Sequence, residues 1–448
     1  MTWPSASILL YGKDARTDAI AEGLRRSATP CRLTIYSTLR IPGLVEKADR
    51  YLTGSLADLD EMVRAAREVE PDLVIVGPED PLGAGLVDAL DALGCPSFGP
   101  AQSLARIETS KSWARSLVER HGIDANPRNR TFHSSEGLAG YLEALGDVVV
   151  KPDGLTGGKG VKVQGEQLAS ISEALAYAES LVSSEGSVVV EERLDGEEFS
   201  LQTVTDGTSV VHCPIVQDHK RAYAGDTGPN TGGMGSYSCP DGSLPFLSSQ
   251  DVARARQINE SVIEALASET GRPYRGVLYG GFMAVADGVR LIEYNARFGD
   301  PEAMNVLPLL SSDLLELCRA VATGKLGDLV PVFEAEATVC KYVVPAAYPE
   351  GRNEGDVVVS DDAVLGDNLR RYWAATELHD DGTVRLTGSR GLAFVGIAGT
   401  MAEAEALAES GASSVTGAVR HRSDIGTASL VARRVEHMRT IRSAGTPG

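Results

Sequence analysis

Short apolar runs alternate with amphipathic stretches through roughly the first 100 residues. "SILLYG" reads as a buried strand, "DAIAEGLRRSA" as a helix and "RLTIYS" as a second strand. "LADLDEMVRAAREV" sets Leu59, Met62, Val63, Ala66 and Val69 at helical spacing, and "DLVIVGPED" supplies a third strand. This alternation predicts a parallel sheet covered on both faces, with ligands beyond the carboxyl ends of its strands, at Gly12 and at Gly77-Pro78-Glu79.

From Ala105 the pattern changes. "SLARIETSKSWARSLVERHGI" predicts one amphipathic helix closed by Gly122, after which strands dominate: "DVVVKPDG", "GVKVQG", "SVVVEERLDGEEFSLQTVTDG". Asp287-Gly288 between two alternating runs is a hairpin signal. The helix "SDLLELCRAVATG" ends at Gly324, and "KLGDLVPVFEAEA" reads as a linker into a last unit of about 110 residues. The division expected is an α/β segment 1–103, an α+β segment 104–325 with a smaller lobe at about 123–187, and a small α+β segment 326–448.

Composition narrows the function. At 448 residues, 43% of them hydrophobic, the chain holds more than one core, and the balance of 42 basic against 62 acidic residues repels nucleic-acid phosphate. Six separated cysteines, with no CxxC pair, suggest neither zinc nor disulfides and are read as structural reduced thiols. "MTWPSASILLYG" shows no basic leader and no membrane-length apolar run, so a cytoplasmic protein, monomer or homodimer, is expected.

Three stretches carry chemistry. In "VVVKPDGLTGGKGVKV" a strand delivers Lys151, Gly154, Gly157, Gly158 and Gly160 follow, and Lys159 precedes the next strand. Backbone N–H groups of such a loop can close on a polyphosphate, although a hairpin with solvated lysines fits the same letters. "VVVEERLDGEEFSL" places Glu191 and Glu192 at a strand end and Glu198 beyond it. In "LIEYNARFGDPE", Glu293, Asn295 and Arg297 share one strand face; two hard oxygen ligands suit magnesium, and a structural Glu293–Arg297 ion pair is the alternative. The stretch 217–237, "QDHKRAYAGDTGPNTGGMGSY", is long, glycine-rich and almost free of aliphatic residues, which marks a functional or a disordered loop. His219 is the one histidine tied to it, and Trp113, Phe282 and Met283 are read as core.

These motifs, in this order from about Leu73 to about Asp424, resemble the phosphoribosylamine-glycine ligase (glycinamide ribonucleotide synthetase) family of the ATP-grasp superfamily. The resemblance implies an ATP-grasp fold with an N-terminal Rossmann-like pre-ATP-grasp domain and a small C-terminal α+β domain. It implies ATP with Mg2+ (or Mn2+), a small amino-acid-like carboxylate and a small amine, joined as an amide through an acyl phosphate. Carried over residue by residue, Lys111 and Lys151 meet phosphates under the 154–160 loop. Glu191 with the backbone at Glu192 and Leu194 holds adenine, Glu198 the ribose, and Glu293 with Asn295 the metal. Arg297, Asp218 and Lys220 serve catalysis, and Asp226, Asn230, Thr231, Gly232, Asp300, Gly12 and Arg16 bind substrates.

The resemblance breaks at the amine side. "YGKDARTDAI" stands where the family has Gly-x-Gly-Gly-Arg-Glu-His-Ala, and "STLRIPGLVEKADRY" where it has Pro-Gly-Asn-Ala-Gly-Thr. A carboxylate of Asp14 or Asp18 about 5 Å from a substrate phosphate would cost roughly 3 kcal/mol at an effective dielectric of about 20. The expectation is therefore a ligase that activates glycine or a relative and transfers it to an amine other than phosphoribosylamine, in specialised biosynthesis. The alternatives are the purine-pathway ligase itself and a nucleotide-binding regulatory protein without turnover.

Overall fold

The computed structural model describes residues 5–155, 160–351, 360 and 362–444. Five parallel strands open the chain in the order Arg50–Thr53, Cys31–Ser37, Ala6–Tyr11, Leu73–Val76, Ser97–Phe98. Ile8, Leu9, Leu10 and Tyr11 are all buried because helices cover both faces of the sheet, which is why the strand reads as a continuous apolar run. The helix Ala15–Arg25 starts at Asp14, whose carboxylate accepts from Thr17 N, and Leu59–Val69 is capped in the same way by Asp58.

The stretch expected as one helix is two, Gln102–Thr109 and Lys111–Arg120. Ser110 breaks it by taking an extended conformation and capping the second helix, its Oγ accepting from Trp113 N at 3.2 Å. Asp153, from the lid lobe, holds the break: it accepts from Ser112 N and Ser112 Oγ, both at 2.7 Å. Lys111 is thereby placed at a helix N-terminus.

The lid lobe is an antiparallel sheet in the order Asn129–Phe132, Val188–Glu192, Val148–Pro152, Lys162–Val163, backed by the helices Leu138–Leu145 and Ile171–Glu185 around a small core of its own. The central sheet pairs Glu197–Thr205 with Gly276–Val285 and the latter with Gly288–Asn295, the hairpin foreseen at Asp287-Gly288. Its back is covered by the helix Ser249–Thr270, absent from the sequence reading although Ser248 and Asp251 form a capping box there.

The stretch 217–237 is ordered as four short strands, Gln217–Asp218, Arg221–Tyr223, Thr227–Asn230 and Gly235–Ser238. The last of these pairs with Ala337–Pro345, so the C-terminal sheet runs Gln217–Asp218, Gly235–Ser238, Ala337–Pro345, Leu392–Ala398, Leu369–Trp373 and crosses the expected division at 325/326. Gly235, at φ +150°, is needed there because a Cβ would stand 2.2 Å from Cys340 O. A closing helix, Ala428–Ala444, returns to the central sheet and buries Leu430 and Met438.

Helix Met401–Ser413 lies so tightly on strand Leu392–Ala398 that a Cβ on Gly396 would meet Ala404 O at 1.9 Å and Ala408 N at 2.9 Å. Both are backbone atoms and cannot rotate away. Gly396→Ala is expected to destabilise the protein by about 3 kcal/mol, read as a lowered midpoint in denaturant with an unchanged slope.

Candidate active site

A cavity of about 820 Å3 runs from the lid lobe, over the central sheet and the strands of 217–237, to the loops of the first and last segments. Every residue given a catalytic, nucleotide, substrate or metal role in the sequence analysis and described in the structure lines it, except Gly12, Gly154 and Gly160. Gly157, Gly158 and Lys159 lie outside the described residues.

At the lid end the carboxylate of Glu191 is fully occupied. Arg115 grips it with Nε at 2.6 Å and Nη2 at 3.0 Å, and Lys151 Nζ stands 2.7 Å away. Burial pushes the Glu191 carboxyl up, but Arg115 and Lys151 together hold it below the ordinary glutamate value. Glu191 therefore aims Lys151 into the cavity, which differs from the expectation that its side chain meets adenine. Glu192 is likewise committed to Arg128, accepting from its N at 2.8 Å and its Nε at 2.6 Å. Leu194 follows at the strand exit and lines the cavity. Lys111 Nζ donates to Gly154 O at 2.9 Å, and Tyr177 OH to Gly160 O at 2.7 Å, which pins both described ends of the glycine loop. Glu166 of the lid reaches Arg221 on the floor and bridges the two lobes. Met283, expected in the core, lines the cavity instead; Phe282 is buried, and Trp113 packs at the core's edge.

In the middle, Lys220 Nζ lies 3.4 Å from Glu198 Oε2 and 3.8 Å from Glu293 Oε1. Glu198 is the main cause that raises the Lys220 pKa, so the ammonium stays charged. The Asn295 amide, oriented to satisfy its neighbours, donates its nitrogen to Glu108 Oε1 at 3.0 Å and Tyr294 O at 3.2 Å, leaving the oxygen outside those contacts. Arg297 is held by Glu79 at 3.1 Å and Glu108 at 2.8 Å, so the alternative reading, a structural Glu293–Arg297 ion pair, is not realised.

At the far end a chain of alternating charge continues from Glu79 to Arg16, which pairs with Asp14 and donates to Phe298 O at 2.7 Å. Gly12 is turned inward: a Cβ there would collide with Thr17 Oγ1 at 2.0 Å. Asp18 does not line the cavity; it is buried against Lys47 Nζ at 2.8 Å and Trp373 N at 2.8 Å, joining the first segment to the last. Arg390, unforeseen, reaches in from the last segment to Gly232 O at 2.8 Å, Asp300 O at 3.1 Å and Asp300 Oδ1 at 3.0 Å. Thr231 Oγ1 is used inside the floor, donating to Lys220 O at 2.8 Å. Asp226 sits in a left-handed backbone position with its carboxylate among Arg434, Arg422 and His219. Asn230 lies on the strand paired with Arg221.

Family models for phosphoribosylglycinamide synthetase match the chain in order: the N domain over residues 6–108, the ATP-grasp (A) domain over 109–303 and the C domain over 338–428. The chain belongs to the phosphoribosylglycinamide synthetase family. Phosphoribosylamine–glycine ligases of Methanosarcina barkeri and Methanopyrus kandleri are 44% and 45% identical to it, each match covering 97% of this chain and 99% of the relative. The crystal structure of a phosphoribosylamine–glycine ligase from Thermotoga maritima superposes with a TM-score of 0.78 at 24% identity, covering 93% of this chain and 99% of that one. Like its relatives in this family, the chain is an ATP-grasp ligase that forms a carbon–nitrogen bond with small-molecule substrates and uses ATP. Among the described residues no helix is long and apolar enough to cross a membrane.

Two predictions follow from the paired carboxylates. Glu191→Gln weakens its bonds to Arg115 and Lys151, and the Km for ATP should rise by about tenfold, as expected for a charge-assisted contact worth about 1.5–3 kcal/mol. Burial raises the Glu108 carboxyl to about 7 despite Arg297. Its proton therefore stabilises the fold fully below the unfolded value of 4.5, and that contribution is lost as pH rises through about 7. Unfolding midpoints of Glu108→Gln should accordingly fall less than those of the wild type between about pH 5 and 8.

Proposed function

We propose that the protein joins glycine to 5-phosphoribosylamine, with ATP cleaved to ADP and phosphate. The near full-length identity to ligases carrying that name supports this acceptor over the different amine expected from the loop sequence. The single observation that carries it is the partnering of the two aspartates that counted against it. Asp18 is buried under the last segment, and Asp14 is bound to Arg16, which holds its carboxyl down at about 2 although burial pushes it up. Neither is left as a bare charge beside an incoming phosphate, so the repulsion of roughly 3 kcal/mol does not arise in that form.

Lys151, aimed by Glu191, and Lys111 would meet the ATP phosphates; Leu194 and the neighbouring strand exit would meet adenine, and Glu198 the ribose. Glu293 and the oxygen of Asn295 would hold magnesium, which neutralises phosphate charge while phosphoryl passes to the glycine carboxylate. Two protein ligands suit a metal that completes its shell with phosphate and water, in keeping with the absence of any larger ligand cluster among the described residues. Arg297 stands where oxygen charge grows as the amine attacks the acyl phosphate, and its charge is secured by Glu108 and Glu79, which outweigh burial. The lid bridge Glu166–Arg221 would exclude water from the acyl phosphate.

A second reading, an acceptor without a phosphate, is favoured by one observation: Asp14 itself caps the helix Ala15–Arg25, occupying the terminus where an anion would otherwise sit. ADP release measured with ATP, glycine and a panel of amines decides between them. Strong turnover with phosphoribosylamine is expected, and preference for a phosphate-free amine would establish the second reading. Glu293→Ala combined with Asn295→Ala should reduce turnover by at least about a hundredfold.

A further inference from the structure

The closing helix Ala428–Ala444 runs on from residue 428, where the match to the C domain stops, and packs against the strands Glu197–Thr205 and Gly276–Val285 of the central sheet. It brings Arg434 and His437 to the wall of the cavity, beside Leu194, Asp195, Glu197 and Glu198. His437 stands between two carboxylates: its Nδ1 lies 2.7 Å from Glu197 Oε1, and its Nε2 lies 3.1 Å from Asp195 Oδ1. A neutral imidazole carries one N–H and keeps a lone pair on its other nitrogen, whereas the imidazolium donates from both. Carboxylate oxygens on both nitrogens of one ring therefore suit the charged form. With one proton fewer, a lone pair would face a carboxylate oxygen.

The segment held in this way has little slack. Gly196, between the two acids, is pressed against the central sheet, where a Cβ would stand 2.0 Å from Ala284 O. Glu197 is buried; its Oε2 accepts from Gln217 Nε2 at 3.4 Å and lies 3.3 Å from Arg434 Nη1. Leu194 and Glu198, assigned above to adenine and ribose, flank the clamped residues on either side.

We propose that His437 is a positioning residue for the nucleotide: its imidazolium ties Asp195 to Glu197, fixes the stretch from Leu194 to Glu198, and makes ATP affinity fall as the ring loses its proton. The inference rests on the nucleotide placement proposed above and adds to it a side chain from a distant part of the chain. Burial lowers the His437 pKa, but Glu197 and then Asp195 outweigh it and carry it above the ordinary histidine value of 6.5. The bridge is thus complete below about pH 6.5 and is lost as pH rises through the higher value of the folded protein. The remaining charges around the ring keep that sign. Arg434, one turn earlier on the helix, is shared between Glu197 and Asp226, so Glu197 stays partnered when the ring is neutral, and Asp195, exposed to solvent, is the acid released. Farther along the helix, Arg439 pairs with Glu436 and Arg442 with Asp251. On the central sheet, Glu198 has Lys220, and the strand Gly276–Val285 carries no Asp, Glu, Lys, Arg or His.

The test measures the Kd of ADP with saturating magnesium, by calorimetry on the full-length protein between about pH 6 and 9; it needs neither carboxylate nor amine. ADP and magnesium have a pH dependence of their own, so the quantity read is the Kd of His437→Gln divided by that of wild type. This ratio should be about fivefold at the acid end, as for a partly exposed ion pair, and should approach one at the alkaline end, where the wild-type ring is neutral too. Asp195→Asn removes one of the two acids that raise the ring's pKa and should move the wild-type fall in affinity to lower pH; it also serves if the first variant does not fold. A ratio that is constant across the range, the mark of a helix fastening alone, or an unmoved profile in Asp195→Asn, overturns this proposal and leaves the ligase reading standing. If wild type binds no ADP, the nucleotide placement falls and this proposal with it.

Discussion

Buried charge in strict alternation holds this molecule's working parts in register. Asp14, Arg16, Glu79, Arg297 and Glu108 follow one another through the cavity wall, Arg297 from the part matched by the ATP-grasp domain and the other four from the part matched by the N domain. Each is largely withdrawn from water, and the charge each carries is tolerable only beside a neighbour of opposite sign; Glu108, raised to about 7 by burial, carries its charge only above that pH. Removing one member would strand the next, so the chain fixes where Arg297 stands relative to the strand ends of the first segment. The Arg115–Glu191–Lys151 cluster does the same at the lid end, converting a carboxylate that cannot leave the strand into an aiming device for a lysine.

The site is thus a cavity with two kinds of recessed acid. Those already matched by arginine or lysine set geometry; Glu302, bonded to Tyr279 OH, has no such cation within ion-pair distance among the described residues. Lys220 lies between the two, and Glu198 is what keeps it charged. The 217–237 stretch supplies Asp218 and Lys220, and it is ordered because its last strand is an internal member of the C-terminal sheet.

Much of this was legible in the letters. The alternation of strands and helices before residue 100, the hairpin at Asp287-Gly288, and the motifs around Lys151, Glu191 and Glu293 all carry local signatures, and the fold confirms the elements on which they lie. What escaped was set by contacts distant in sequence. The break at Ser110 depends on Asp153, and the exposure of Met283 depends on a cavity no periodicity announces. Arg390 and Glu302 gave no signal because their meaning lies in partners present or missing in space. The helices Ile171–Glu185 and Ser249–Thr270 were large omissions with readable cues, Ser170 three residues ahead of Glu173 and the Ser248–Asp251 box. At the amine side the letters showed substitution to Asp14 and Asp18 but not that both would be consumed by Arg16, Lys47 and Trp373.

The strand Gly235–Ser238, inserted beside Ala337–Pro345, has a bearing on how such a protein can change over generations. A terminal segment that borrows its sheet edge from the middle of the chain is not a detachable module. Exchanging it for a foreign one, or dividing the gene near residue 326, would expose a row of unpaired backbone groups beside the stretch that lines part of the cavity. Change in such a protein is therefore more readily made in its loops than by shuffling whole units.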